Sequence, residues 1–243
     1  MQKTGVNDII INEPQQRKYF FGGDRTLKEK IKTFCIATVV IVLLLAACCA
    51  TEKKKDIYLV LVNKENKLPD DWESKITLVT ATNSLGEEFQ VESEAYESFE
   101  ALRGALLKTE GIQIELDSTY RSVQEQIDMI AWMDEEYGPG YADQYAAKPG
   151  YSEHHTGLAI DIFIIKDGEE IRDNDAMIAD VEDFKKIHAL MPRYGFILRY
   201  GEGQEEITGY AYEPWHLRYI GSVDKACKIA SKGITLEEYL VAN

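Results

Sequence analysis

Hydrophobic and polar positions divide the chain into a polar leader, one uncharged apolar run and a long region of short periodic segments separated by turn residues. Thr33 to Thr51 carries no charge, just enough length to cross a bilayer as a helix. After a charged linker at residues 52–56, Ile57–Val62 is continuously apolar and predicts a strand. Ile76–Thr82 and Ile112–Leu116 predict two more, with a turn at Asn83-Ser84-Leu85-Gly86. Helical spacing recurs at Ala95, Phe99, Leu102, Leu106 and Leu107, up to a terminating Gly111. It recurs at Ile127, Ile130, Ala131 and Met133 within residues 123–137, read as facing inward, and at Val181, Phe184, Ile187 and Leu190 within residues 180–191. His188 sits at the edge of that last stripe and reads as a packing or surface residue. Asp167-Gly168 predicts a hairpin turn, Gly195–Tyr200 a strand, and Leu236–Val241 a closing helix. Strands and helices in no strict βαβ order predict a single α+β domain over residues 57–243, with a mainly antiparallel central sheet flanked by helices.

Within that domain one stretch stands apart, Tyr151-Ser152-Glu153-His154-His155-Thr156-Gly157-Leu158-Ala159-Ile160-Asp161. It reads as a turn feeding a strand, with Gly157 free to adopt a backbone conformation that larger residues resist. The strand delivers a carboxylate after an apolar run, which is costly in a buried setting unless a partner such as a cation is present. Taken alone, the stretch fits equally well a hairpin with a surface His pair and a turn-capping Asp.

Charge is unevenly spread: residues 1–50 carry net +3 and the rest −18, for a total of −15. So acidic a body is poorly suited to gripping nucleic-acid phosphates. The four cysteines, Cys35, Cys48, Cys49 and Cys227, form no disulfide framework. Residues 1–32 are polar and end in a basic cluster. Together with the apolar run at 33–51, this predicts a transmembrane anchor with the N-terminus cytoplasmic and everything after residue 51 outside. A second reading stays open, because Leu45-Ala46-Ala47-Cys48 resembles a bacterial lipobox in which Cys48 would be lipidated. Either way the domain is expected in the bacterial cell envelope, tethered to the cytoplasmic membrane.

Farther on, Glu213-Pro214-Trp215-His216 presents a carboxylate and an imidazole close together on extended backbone, since Pro214 disfavours a helix there. His154, Asp161 and His216 are three ligands of the types Zn²⁺ accepts, and three protein ligands leave a fourth position for water. Glu213 is then free to act as general base. Arg121, at the end of a strand, is a cation suited to an oxyanion or a carboxylate.

These residues carry a resemblance. Ser152-x-His154-x-x-Gly157-x-Ala159-x-Asp161, Glu213-Pro214-Trp215-His216 and Ser118-x-Tyr120-Arg121-Ser122 together resemble the VanY-type D-alanyl-D-alanine carboxypeptidases, zinc peptidases that share their fold with the hedgehog signalling domain. The resemblance covers roughly residues 57–224 and rests on three motifs in order, which is far more specific than one. It implies one zinc per chain on His154, Asp161 and His216, with Glu213 as base and Arg121 stabilising the tetrahedral intermediate. Ser152 and Ser118 are implied to hold the substrate carboxylate, and Tyr120 and Gln126 are counted with the substrate-binding residues. His155 stands where relatives commonly have glutamine and is not assigned to the metal. The expected substrate is a peptidoglycan stem peptide ending in D-Ala-D-Ala. Alternatives are a dipeptidase or an L,D- or D,D-endopeptidase of the same fold, and a non-catalytic muropeptide-binding protein. Glu213 argues against the last, since a binding module has no need of a base.

Overall fold

Two antiparallel strands open the domain: β1 (Leu78–Thr82) and β2 (Glu88–Glu92) form a hairpin whose turn is tied by the Asn83 side chain accepting from the Leu85 and Glu87 amides. The structure, a computed structural model, describes Phe34 and residues 57–242. The segment 1–32, the proposed anchor at 33–51 apart from Phe34, its Cys48 and the linker 52–56 lie outside the described residues. Among the described residues no helix is long and apolar enough to cross a membrane. Strand β2 is absent from the sequence reading because its alternation rests on only two apolar residues, Phe89 and Val91.

Glu92 ends β2 and caps α1 (Ser93–Glu110), its carboxylate accepting from the Glu94 and Ala95 amides. Helix α1 buries Ala95, Phe99, Leu102 and Leu106 and ends on Gly111 at φ 71°. Strand β3 (Gln113–Ser118) follows, then α2 (Val123–Tyr137), which starts on a capping box between Ser122 and Glu125. The short α3 (Ala142–Tyr145) leads to a 3₁₀ turn at Glu153–Thr156 and then to β4 (Ala159–Lys166). Asp167 (φ 55°) and Gly168 (φ 85°) make the tight turn into β5 (Glu169–Ile171). Helices α4 (Asn174–Ala179) and α5 (Val181–Leu190), β6 (Phe196–Leu198), α6 (Glu205–Thr208), β7 (His216–Tyr219), α7 (Val223–Lys232) and α8 (Leu236–Val241) complete the order.

The main sheet is antiparallel and runs β3-β4-β7-β6. Strand β4 is its centre. One edge pairs with β3 along most of its length, while the other is shared by β7 at the N-terminal half and β5 at the C-terminal half. Leu158, Ala159, Ile160, Ile162, Phe163 and Ile164 are all buried, so both faces of β4 are covered. The α+β expectation with a mainly antiparallel sheet is met.

Three local expectations are corrected. Ile57–Val62 forms no strand: the carbonyls of Tyr58 and Val60 accept from the Arg218 guanidinium at 3.1 and 2.7 Å. A buried side chain thus takes the backbone bonds a neighbouring strand would have taken. On α2, Ile127 and Ala131 face solvent, and the inward side is Gln126 with Met129, Ile130 and Met133 partly covered. The rotation follows from Gln126, whose amide is needed beneath the helix as described below. Val181 is 62% exposed rather than part of the α5 stripe, because Asp180 ends α4 and the chain re-enters a helix with Val181 turned outward. Phe184 and Ile187 carry the burial there.

Candidate active site

The sheet register builds the centre of the site. Asp161 on β4 lies opposite Ser118 on β3 and opposite His216 on β7. Residues directly opposite on antiparallel strands project to the same face, so the Asp161 carboxylate and the His216 ring meet there. His154 arrives from the 3₁₀ turn, capped at its start by Ser152 and closed by Gly157 at φ 70°. A side chain at Gly157 would also press on Leu78 Cδ2 at 3.0 Å. The two imidazoles stand edge to face, with centroids 5.1 Å apart. Ligand atoms of His154, Asp161 and His216 lie within 4.8 Å of one another.

Their outer hydrogen bonds decide which nitrogens point inward. His154 Nδ1 lies 2.6 Å from the Thr119 carbonyl, which only accepts, so Nδ1 is the donor and Nε2 turns a lone pair toward Asp161 Oδ2 at 3.1 Å. His216 Nε2 faces the buried Glu153 carboxylate at 3.4 Å, leaving Nδ1 to face Asp161 Oδ1 at 2.9 Å. Although so close to Nδ1, Asp161 Oδ1 is buried without a hydrogen-bond partner. Two ring lone pairs and a carboxylate therefore converge with no donor among them. Such a cluster is stable only around positive charge, which a divalent cation supplies. The residues fit a zinc site.

In the metal-free chain a proton takes that place. Burial alone would depress the His216 pKa, but the Asp161 carboxylate outweighs it and raises it to about 10. Burial alone would raise Asp161, yet His154 and His216 pull it well below the usual carboxylate range. Tyr200 packs on the His216 ring at 4.7 Å and Tyr210 on Tyr200 at 4.7 Å, which walls off this side.

Glu213 reaches the same centre, with Oε2 3.7 Å from His216 Nδ1. Burial, reinforced by the nearby Asp161 and Glu153 carboxylates and opposed by His216, pushes its pKa up to about 7. A carboxyl tuned to neutrality beside a metal-binding cluster has the character of a general base. Its backbone is held by its amide donating to the Tyr200 carbonyl at 3.1 Å. His188, read from sequence as a packing residue, packs on Phe184 and also places a ring nitrogen 2.9 Å from the Pro214 carbonyl. It thereby braces the turn that carries Glu213 and His216.

Arg121 lines the same cleft, of about 260 Å³, with Ser152, His154, Asp161, Glu213 and His216. Its guanidinium donates to Gln126 Oε1 at 2.9 Å and to Ser118 Oγ at 3.1 Å. Ser152 Oγ accepts from the His154 amide at 3.3 Å. In both serines the oxygen serves as acceptor; Ser152 lines the cleft with its hydroxyl hydrogen left to donate to a ligand, whereas Ser118 is not among the residues lining it. Gln126 lines the cleft, but both ends of its amide are engaged, the nitrogen donating to the Ala147 carbonyl at 2.8 Å. Tyr120 is not brought to the cleft: its hydroxyl donates to Glu73, and its ring lines a separate cavity with Trp72 and His155. His155 stands outside the metal cluster, in line with its expected orientation.

Glu153 escaped the sequence reading. It is fully buried, accepts from Arg199 Nε at 2.7 Å and Arg218 Nη1 at 2.6 Å, and orients His216. Its two cations lie 46 and 65 residues away, and no local pattern announces such a pairing.

A metal-binding hydrolase type of site, three ligands with a carboxyl and a guanidinium beside them on an antiparallel sheet, is the class that this geometry defines. Comparison with known proteins narrows it: the chain belongs to the VanY D-alanyl-D-alanine carboxypeptidase family, whose model matches residues 88–222. The bifunctional D-Ala-D-Ala dipeptidase and carboxypeptidase VanXYC of Enterococcus gallinarum is 40% identical over 139 residues, 55% of this chain and 70% of that protein. The chain spans about two thirds of the length of the curated relatives it matches. A VanY D,D-pentapeptidase variant from a VanB-type resistance cassette, solved with Zn(II), superposes with TM-score 0.59 at 30% identity, covering 76% of this chain and 99% of that one. The LdcB LD-carboxypeptidase superposes with TM-score 0.62 at 34% identity, covering 77% and 87%.

Proposed function

We propose that this protein is a zinc-dependent D-alanyl-D-alanine carboxypeptidase that trims peptidoglycan stem peptides or their precursors. One observation carries the reading: lone pairs of His154, Asp161 and His216 converge, without a donor, beside a carboxyl poised near neutrality and a guanidinium. The Zn(II) complex of the VanY relative supports the metal, and the activities named for VanXYC support the substrate.

Bound at these three ligands, zinc would polarise the scissile carbonyl and acidify the attacking water. Glu213 takes the proton from that water and passes it to the leaving amine of the terminal residue. The Arg121 guanidinium lies beside the cleft where negative charge develops on the carbonyl oxygen, fixed in advance by Gln126 and Ser118. Ser152, which lines the cleft, has a hydroxyl hydrogen to offer the substrate's carboxylate, while Ser118 contributes by holding the Arg121 guanidinium. Tyr200 and Tyr210 limit water on the His216 side.

The deciding experiment incubates the zinc-loaded protein with stem peptides ending in D-Ala-D-Ala and follows products by mass spectrometry. Loss of a single alanine, stopped by a chelator, is the expected result. A second reading is favoured by the LdcB similarity: removal of the D-alanine that follows an L-centre, from a tetrapeptide. Cleavage of the tetrapeptide alone would establish it, and no cleavage of either peptide would overturn both. We place the domain outside the cytoplasmic membrane, tethered through residues 33–51, on the strength of the basic cluster and apolar run in the sequence.

A further inference from the structure

We infer that His155 is the positioning residue that locks Arg121 and the segment 147–150, whose first residue Ala147 lines the cleft, into one rigid unit. The inference rests on the carboxypeptidase reading for its catalytic consequence. Its structural content stands on the hydrogen bonds alone.

Both ring nitrogens of His155 are committed. The Gly150 amide donates to Nε2 at 3.0 Å, so Nε2 must be an acceptor. Nδ1 lies 2.6 Å from the Arg121 carbonyl, which only accepts, so Nδ1 must carry the hydrogen. The tautomer is thereby set, and the ring becomes a bridge between two backbone segments 29 residues apart in sequence. A second bridge runs in parallel on the cleft side. Gln126 accepts from the Arg121 guanidinium at 2.9 Å and donates to the Ala147 carbonyl at 2.8 Å. Arg121 is held through both its backbone and its side chain, and the 147–150 segment at both ends, with Ala147 at the cleft. The Arg121 amide adds a bond to the His154 carbonyl at 3.1 Å, which ties the unit to a metal-ligand residue.

His155 is buried, so replacing it by an apolar side chain leaves the Gly150 amide and the Arg121 carbonyl unpaired away from water. The segment then loosens and the guanidinium loses its fixed position, although His155 itself never meets the substrate. A glutamine can make the same pair of bonds, its amide oxygen accepting from Gly150 and its nitrogen donating to Arg121.

The test uses the full zinc-loaded chain with His155→Gln, His155→Leu, Arg121→Lys and the His155→Leu/Arg121→Lys double variant. His155→Gln should keep kcat within about threefold, while His155→Leu lowers it by about 10–100-fold, the scale of an ångström-level misplacement, with zinc content unchanged. Because His155 acts through Arg121, the double variant should be less than about twofold worse than Arg121→Lys alone. Hydrogen exchange of the Gly150 amide, followed by NMR, should accelerate at least about tenfold in His155→Leu and stay slow in His155→Gln. Losses that multiply in the double variant overturn the inference, since a general weakening of the fold would act independently of Arg121. Unchanged Gly150 exchange in His155→Leu overturns it as well. A wild-type chain that cuts no stem peptide refutes the carboxypeptidase reading. The Gly150 exchange comparison still decides the bridge in that case.

Discussion

His216 stands directly opposite Asp161 on neighbouring antiparallel strands, its Nδ1 2.9 Å from a carboxylate oxygen that has no hydrogen-bond partner. Two such atoms held this close without a hydrogen bond fit a cation bound by both. The sheet register sets this relation, and the chain between the two residues, which stand 55 positions apart, brings β7 alongside β4.

Zinc and a proton therefore compete for the same place. With His216 raised to about 10 in the metal-free chain by Asp161 against the opposing effect of burial, binding displaces a proton over the whole neutral range. Zinc affinity is expected to tighten about tenfold per pH unit between about pH 6 and 8. Competition titration with a chromophoric chelator at several pH values measures it, and a pH-independent dissociation constant would contradict the site.

As the proposed general base, Glu213 would act only when ionised. Burial pushes it to about 7 without metal, and a bound cation favours the carboxylate, so the acid limb of kcat/KM should fall below 7 in the zinc enzyme. Glu213→Gln should lower kcat by about 10²–10⁴-fold, the usual contribution of a general base, while zinc stoichiometry is retained. Turnover close to wild type in that variant would remove Glu213 from the mechanism.

The Glu153 carboxylate pairs with two fully buried guanidinia, Arg199 and Arg218, and Arg199 has a second acid in Glu237. Burial opposes its ionisation, but Arg218 and Arg199 outweigh burial and hold its pKa far below the ordinary range. The sign follows: a lowered folded pKa means the stabilisation is complete above the unfolded carboxyl value of about 4.3 and is lost only as pH falls into strong acid. Glu153→Ala should cost about 3–5 kcal/mol, the penalty of leaving buried charge uncompensated. Urea unfolding at neutral pH is the measurement, and a loss under about 1 kcal/mol would show the pair to be dispensable.

Gly221 sits at φ 65° against Tyr58, where an added Cβ would fall 2.3 Å from the ring. Gly221→Ala should destabilise the domain by about 1–3 kcal/mol through overpacking. A double variant with Tyr58→Leu should recover part of that loss. Thermal melts of the single and double variants check whether the 57–62 segment is docked there.

For the tether, membrane fractionation should find the full chain with the membranes, and protease added to intact protoplasts should cut the domain. Cys48→Ser separates the two forms of anchor. A plain helix is indifferent to the change, whereas a lipidated Cys48 loses incorporation of labelled fatty acid. Recovery of the domain inside protease-resistant protoplasts would refute the location.

What the sequence determined by itself was local chemistry and local structure. The candidates His154, Asp161, His216, Glu213 and Arg121, which the fold brings to one cleft, were legible because each lies in a short motif of characteristic residue types. Helix α2 could be bounded at Val123–Tyr137 and α8 at Leu236–Val241 from local residue pattern, and the structure shows that both start on capping boxes formed by neighbouring residues. Tertiary structure alone decided what depends on distant partners. Ile57–Val62 has every strand signal, yet Arg218, some 160 residues away, takes its carbonyls. Ile127 looks as apolar as any core residue, yet Gln126 is turned inward because Arg121 and Ala147 require its amide. Glu153 carries no signal of its own between a serine and a histidine, yet Arg218 of β7 and Arg199 just after β6 close over it. Tautomers, too, are set by the neighbours of each ring. Periodicity records whether a residue is apolar, while the partners that make burying a polar group favourable are brought together only by folding.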